Sequence, residues 1–207
     1  MLINNSIKDY MDDLSSDRPA PGGGSVSAVS GSLGVSIMQM VCSLSIGKKG
    51  LEDYQDILVD MLDKSQAYKD YFLQAIDEDC NCYPSIISAY RLPKNSDQEK
   101  KDRLEQIQKA YKYATEIPFT IGQKGHEFLD LLEKVIDISN KNIITDAYVS
   151  ANQMQACIDG ALINAKINLN YIKDQEYRED IEKKIEFILE DSKLRLDVIR
   201  TKIKNMI

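Results

Sequence analysis

Pro19-Ala20-Pro21-Gly22-Gly23-Gly24-Ser25 opens a stretch that continues from Val26 to Gly47 without one charged residue, in a chain of 207 residues that is 29% charged. A solvated helix carries charge on its outer face, so 22 uncharged residues predict a buried helix with a purpose-built start. The prolines halt any preceding helix, the glycines permit close backbone approach or positive φ, and Ser25 is placed to cap the free N–H groups that follow. Those N–H groups and the positive end of the helix dipole favour a carboxylate or phosphate. A glycine-rich turn that merely leads into a core helix is the competing reading.

Val26 to Ile46 is long enough to span a membrane, but Ser27, Ser30, Ser32, Ser36, Gln39, Ser43 and Ser45 dilute its apolar character, and the chain has no second candidate. No membrane role is expected. With Gly31 and Gly34, the same small residues let neighbouring helices approach closely, which suits the central helix of a bundle or of a subunit interface.

At 43% hydrophobic content the chain can bury a sizeable core, and no linker divides it, so residues 1–207 are expected to form one domain. A net charge of −7 argues against nucleic acid or an anionic membrane as the main partner. Cys42, Cys80, Cys82 and Cys157 form no metal-spaced set, and the N-terminus, with Asn4, Asn5, Lys8 and Asp9, lacks the apolar region of a signal peptide. A reducing cytoplasm fits both.

The rest of the chain reads as helices. Asn4 to Leu14 is a short amphipathic opener, and Leu51 to about Leu92 has helical apolar spacing interrupted at Pro84. Pro93-Lys94-Asn95-Ser96 is a turn, Asp97 to Glu116 a charged helix ending before Pro118, and Phe119 to Ile138 a further helix. Thr145 is placed to cap a helix to about Tyr171, and Glu176 to Ile207 repeats isoleucine and leucine on one face. Strand alternation is absent, so the fold class is all-α: a helical bundle around a central uncharged, small-residue helix, and oligomeric.

Two helices carry polar residues that a plain bundle does not need. At 100° per residue, Phe72, Ile76, Asp79, Tyr83, Ile86 and Tyr90 share a stripe, so Asp79 lies on an apolar face while Asp77 and Glu78 point elsewhere. Burial raises a carboxylate's pKa toward the range useful for proton transfer unless a cation reverses the shift; a buried Asp satisfied by a cap or ion pair is the alternative. On that spacing Asp77→Asn should do little. On the later helix, Asp146, Ser150, Gln153, Cys157, Gly160, Ala161, Asn164 and Asn168 share another stripe, either the lining of a polar pocket or a packing seam. His126, the single histidine, has no companion at metal spacing, and Gly47-Lys48-Lys49 is not a phosphate-binding loop.

In their order, these motifs resemble the cyclodeaminase/cyclohydrolase family. The resemblance rests on Pro19 to Val26, Ser45-Ile46-Gly47-Lys48-Lys49, Asp77-Glu78-Asp79, Arg91-Leu92-Pro93-Lys94, Ala114-Thr115-Glu116-Ile117-Pro118, Asn140 with Thr145-Asp146, and Asn164 to Asn168. It covers nearly the whole chain. Cys82 and Tyr83 stand where the family usually has Ala and Phe, Thr145 where it has Ser, and Ser139 where it commonly has Gly; these departures bear on substrate preference more than on fold.

The resemblance implies a cytoplasmic all-helical homodimer acting on a one-carbon unit bridged between N5 and N10 of tetrahydrofolate, as a methenyltetrahydrofolate cyclohydrolase or a formiminotetrahydrofolate cyclodeaminase. It implies no metal or redox cofactor. Asp79 is then expected to do acid–base work with Asp146 as electrostatic partner. Asn164 and Asn168 would hydrogen-bond the pterin or the bridge, and Pro21, Gly22, Gly23, Gly24, Ser25 and Lys48 would receive the folate, with the helix start or Lys48 holding a carboxylate. A non-catalytic folate binder and a helical interaction protein are the alternatives.

Overall fold

The computed structural model describes residues 1–207 and is all-helical. Its helices are α1 (Ile7–Leu14), α2 (Gly23–Ser43), α3 (Gln55–Asp79), α4 (Cys82–Tyr90), α5 (Asp97–Ile138), α6 (Ile144–Leu169) and α7 (Gln175–Lys204), with short 3-10 turns at Leu2–Asn4, Glu52–Tyr54 and Lys141–Ile143. Side chains set several of the starts. Ser6 accepts from the Asp9 N–H at α1, Ser96 and Glu99 form a reciprocal capping box at α5, and Asp174 accepts from the Tyr177 N–H at α7.

The uncharged helix is central, as its composition predicts: α2 packs between α3 and α6, α5 lies along α6, and α7 closes over both. Forty buried residues, from Tyr10 to Ile203, form one hydrophobic cluster. Buried serines of α2 are accommodated because their hydroxyls donate to carbonyls of their own helix, Ser27 to Gly23 at 2.8 Å and Ser32 to Val29 at 2.8 Å. α2 is the one helix long and apolar enough to cross a membrane, but 61% of that stretch is buried against the other helices. Gly47, just past its end, has φ of +73°, a conformation that favours glycine.

Three expectations about boundaries need correction. The interruption near Pro84 is a full break at Cys80-Asn81, and Pro84 sits in the first turn of α4, where its missing N–H costs nothing. Thr145 lies inside α6, whose N-cap is Ile143 with no side-chain bond. Pro118 does not end a helix, because α5 runs through it for 42 residues. The carbonyl that Pro118 leaves without its helical donor, that of Ala114, is met from the neighbouring helix by Asn168 Nδ2 at 2.7 Å.

Candidate functional site

Three helix ends meet at the start of α2. Gly22 is the N-cap, extended and without a side-chain cap bond. Ser25 does not cap the helix as the sequence suggests. It is fully buried, and its hydroxyl lies 3.0 Å from that of Tyr10, fixing α1 across the opening of α2.

The group that stands against the free N–H groups is the Asp79 carboxyl, from the last residue of α3, close enough to the Ser25 backbone N–H to feel it. The approach is so close that a Cβ on Gly24 would fall 2.0 Å from Asp79 Oδ1. The chain's own Asp79 carboxyl group thus stands at this helix start, the place where the sequence reading puts a folate carboxylate. Gly23 is tight for a different reason: its Cβ would lie 2.9 Å from Asn164 Nδ2.

Burial raises the Asp79 pKa above the ordinary carboxylate value, and the Ser25 N–H opposes the rise without cancelling it. No Lys, Arg or His lies among the side chains around it. Of its neighbours, Asp77 points away as expected, but its oxygen accepts from the Leu2 N–H and its Oδ2 is buried without a partner. Asp77 thus anchors the N-terminal turn and is no silent control, whereas Glu78 is exposed.

A cavity of about 220 Å³ opens beside this carboxylate. Pro19, Ala20, Gly22, Gly23 and Gly24 line one side, Asp79, Cys82, Tyr83 and Ile86 the second, Ala114 and Pro118 of α5 the third, and Asn164, Ile167 and Asn168 of α6 the fourth. Both amides have their NH₂ groups committed to helix carbonyls, Asn164 to Gly160 at 2.8 Å and Asn168 to Ala114. Cys82 is buried, and burial, reinforced by the nearby Asp79 charge, pushes its thiol up to about 12.

The structure brings together Gly22, Gly23, Gly24, Asp79, Asn164 and Asn168, with Pro21 and Ser25 buried just behind them. Two expected members lie elsewhere. Asp146 is 18 residues from Asn164 on the same straight helix, about 27 Å away at 1.5 Å per residue, too far to assist Asp79 electrostatically. Lys48 is exposed beyond the other end of α2, about 30 Å from Gly23.

The middle of the α6 stripe is a packing seam: Ser150 Oγ donates to the Gly34 carbonyl at 2.7 Å, and Gly160 stands against Ser27. His126 is paired with Asp191 at 2.6 Å, between α5 and α7. A roomier cavity, about 530 Å³, lies between α4 and α5, but no carboxylate lines it and its Lys109 is already paired with Glu105 at 2.7 Å.

Sequence reasoning put Tyr83 and Ile86 on the Asp79 stripe and noted Cys82 and Tyr83 as departures from the family, but assigned none of the three to the site, since their placement depends on the break before α4. It took Pro118 for a helix end. The available signal was Pro118 itself: a proline amid helical spacing on both sides requires a donor from elsewhere if the helix is to continue.

Residues 6–187 match the model of the formiminotransferase-cyclodeaminase family. The chain is 34% identical over 192 residues to a methenyltetrahydrofolate cyclohydrolase of Methylorubrum extorquens, covering 93% of this chain and 92% of that one. It is 28% identical to the formimidoyltransferase-cyclodeaminase of Gallus gallus, again over 93% of this chain but only 36% of that longer protein. The solved structure of a formiminotetrahydrofolate cyclodeaminase from Thermotoga maritima superposes with a TM-score of 0.81 at 24% identity, over 100% of this chain and 97% of that one, a likeness of fold.

Proposed function

This chain belongs to the formiminotransferase-cyclodeaminase family, and from that premise we propose that it is a folate one-carbon enzyme, a methenyltetrahydrofolate cyclohydrolase with Asp79 as its acid–base group. The observation that carries the reading is a pocket whose lining holds one carboxyl group, that of Asp79, with two side-chain amides and no Lys, Arg or His. Such a pocket complements a positively charged substrate, and the methenyl bridge between N5 and N10 is a cation. The greater identity, over nearly full length, is to the cyclohydrolase rather than to the bifunctional proteins, which favours hydrolysis over deamination.

Asp79 takes a proton from water as its oxygen bonds to the methenyl carbon, and returns that proton to N5 as the carbon–N5 bond breaks. The remaining hydroxyl proton leaves to solvent as the formyl carbonyl forms on N10. At about 220 Å³ the cavity receives the fused rings and bridge, and the tail of the folate lies outside it. The reaction draws on no cofactor beyond the folate substrate.

Loss of methenyl absorbance on adding the protein tests this reading, with ammonia release from formiminotetrahydrofolate as the competing assay. Ammonia release with no effect on the methenyl compound would sink it. Because base catalysis requires ionised Asp79, turnover is expected to rise with pH along a limb displaced above the ordinary carboxylate pKa of 3.8, and Asp79→Asn should abolish that limb.

The reading includes a homodimer in the cytoplasm. Val26, Leu33, Met40 and Leu44 recur at helical spacing on α2 and remain exposed, Leu33 at 47%. A second copy covering this face would leave no uncharged helix open to water. Leu33→Asp should move the light-scattering mass from dimer to monomer, and a wild-type protein that is monomeric at micromolar concentration would remove the interface.

A further inference from the structure

Pro118 and Asn168 touch the pocket from different helices and are joined by one hydrogen bond. Proline has no N–H, so the Ala114 carbonyl, one turn earlier in α5 and on a residue only 2% exposed, lacks its helical donor. A carbonyl can only accept, so the Asn168 side-chain atom 2.7 Å from it is the nitrogen. That same nitrogen lies 3.1 Å from the Asn164 carbonyl. With Nδ2 doubly held, Asn168 cannot turn its amide over, and the atom left for a ligand is Oδ1.

We infer that Pro118 is a positioning residue: by leaving the Ala114 carbonyl open, it locks the Asn168 amide so that Oδ1 faces the pocket as an obligatory hydrogen-bond acceptor for an N–H of the substrate. A pterin offers such donors at its pyrimidine edge. An alanine at 118 would restore the helical N–H, satisfy Ala114 within α5, and release Asn168 to present either end. The unusual place of a proline inside a 42-residue helix thereby acquires a recognition role. The inference rests on the folate reading for its ligand, but the coupling between the two residues does not depend on any ligand.

The test combines Pro118→Ala, Asn168→Ala and Asn168→Asp, singly and in the two double variants, measured by thermal unfolding and by kcat and KM for methenyltetrahydrofolate. Asn168→Ala alone should lower Tm by about 3–8 °C, since it strands a buried carbonyl. In the Pro118→Ala background the same change should cost less than half of that. KM separates recognition from mere packing. Asn168→Ala should raise it about tenfold with Pro118 present, the scale of one hydrogen bond. Pro118→Ala alone should raise it severalfold, because the freed amide no longer holds Oδ1 toward the ligand, and Asn168→Ala should then add less than it does with Pro118 present. An unchanged KM in Pro118→Ala would overturn the positioning role.

Asn168→Asp keeps the acceptor but loses the donor. It should fail with Pro118 present, where a carboxylate faces the Ala114 carbonyl, and recover KM to within about threefold of the parent when combined with Pro118→Ala. Equal KM values for Ala and Asp at position 168 in the Pro118→Ala background would reduce Asn168 to a structural prop and overturn the positioning claim. Additive Tm losses would overturn the linkage itself. A wild-type protein that leaves methenyltetrahydrofolate untouched would instead defeat the functional reading and, with it, the recognition role, while the Tm cycle would still decide whether the two residues are linked.

Discussion

Asp79→Asn is expected to lower turnover by about a hundredfold or more while leaving the helical signal intact and the protein no less stable. The loss follows from the site's composition: Asp79 is the one carboxyl group lining the cavity and no His or Lys stands beside it, so no neighbour can take over proton transfer. The stability half follows from linkage. The folded-state pKa of Asp79 is raised by burial, so the folded protein holds a proton that the unfolded chain has already lost, and this contribution is fully present only below the unfolded value of 3.8. It is lost as pH rises through the higher folded value, and above that a buried charge is left that an asparagine does not carry. Thermal unfolding at neutral pH should therefore show the Asp79→Asn variant equal to or more stable than the parent. Glu78→Gln is the control, because Glu78 is exposed on the adjacent position. Unimpaired turnover in the Asp79→Asn variant would reduce Asp79 to a satisfied core carboxylate.

Gly24→Ala should damage both fold and activity, and by a mechanism that can be reversed. Its new Cβ would stand 2.0 Å from Asp79 Oδ1 and 2.5 Å from Cγ. Either α2 and α3 must separate or the carboxylate must swing out, at a cost of about 1–3 kcal/mol, the usual scale of overpacking. Turnover should fall about ten- to a hundredfold because the acid–base group is misplaced. Adding Asp79→Ala removes the obstructing side chain, so the double variant should regain most of the lost Tm with no return of activity. A Gly24→Ala protein that is fully active would mean the approach of Asp79 to α2 is not needed for catalysis. Gly23→Ala should be milder, since its Cβ meets the movable end of Asn164 rather than a short carboxylate.

The all-helical architecture and the central place of α2 were legible because the absence of charge from Val26 to Gly47 leaves burial as the only comfortable environment. The inward placement of Asp79 was legible from its spacing with Phe72 and Ile76 along α3. Tyr83, Ile86 and Tyr90, by contrast, belong to a separate helix beyond the break at Cys80-Asn81, where the expected stripe does not continue. Periodicity, however, reports angle around a helix and nothing about distance along it. Asp146 and Asn164 share a face of α6 yet lie about 27 Å apart, so a stripe that looked like one lining is a seam at Ser150 and Gly160 and a pocket wall only at Asn164 and Asn168. The start of α2 reads as a place for a ligand's anion, and the sequence does not reveal that the Asp79 carboxyl group stands against it. Pro118 misled for a related reason: propensity counts the hydrogen bond lost within α5, while the donor that replaces it comes from a residue 54 positions beyond Ala114 in the chain.

Cys82 gives the pocket a safeguard. The carbon of a methenyl bridge is an electrophile, and a thiolate at the cavity wall would compete with water for it, trapping the folate as a covalent adduct. A thiol pushed up to about 12 by burial and by the Asp79 charge stays protonated and inert at neutral pH. On the proposed mechanism, the carboxyl group assigned to prepare water for attack would also keep the sulfur beside it protonated, guarding the site against trapping by a methenyl substrate.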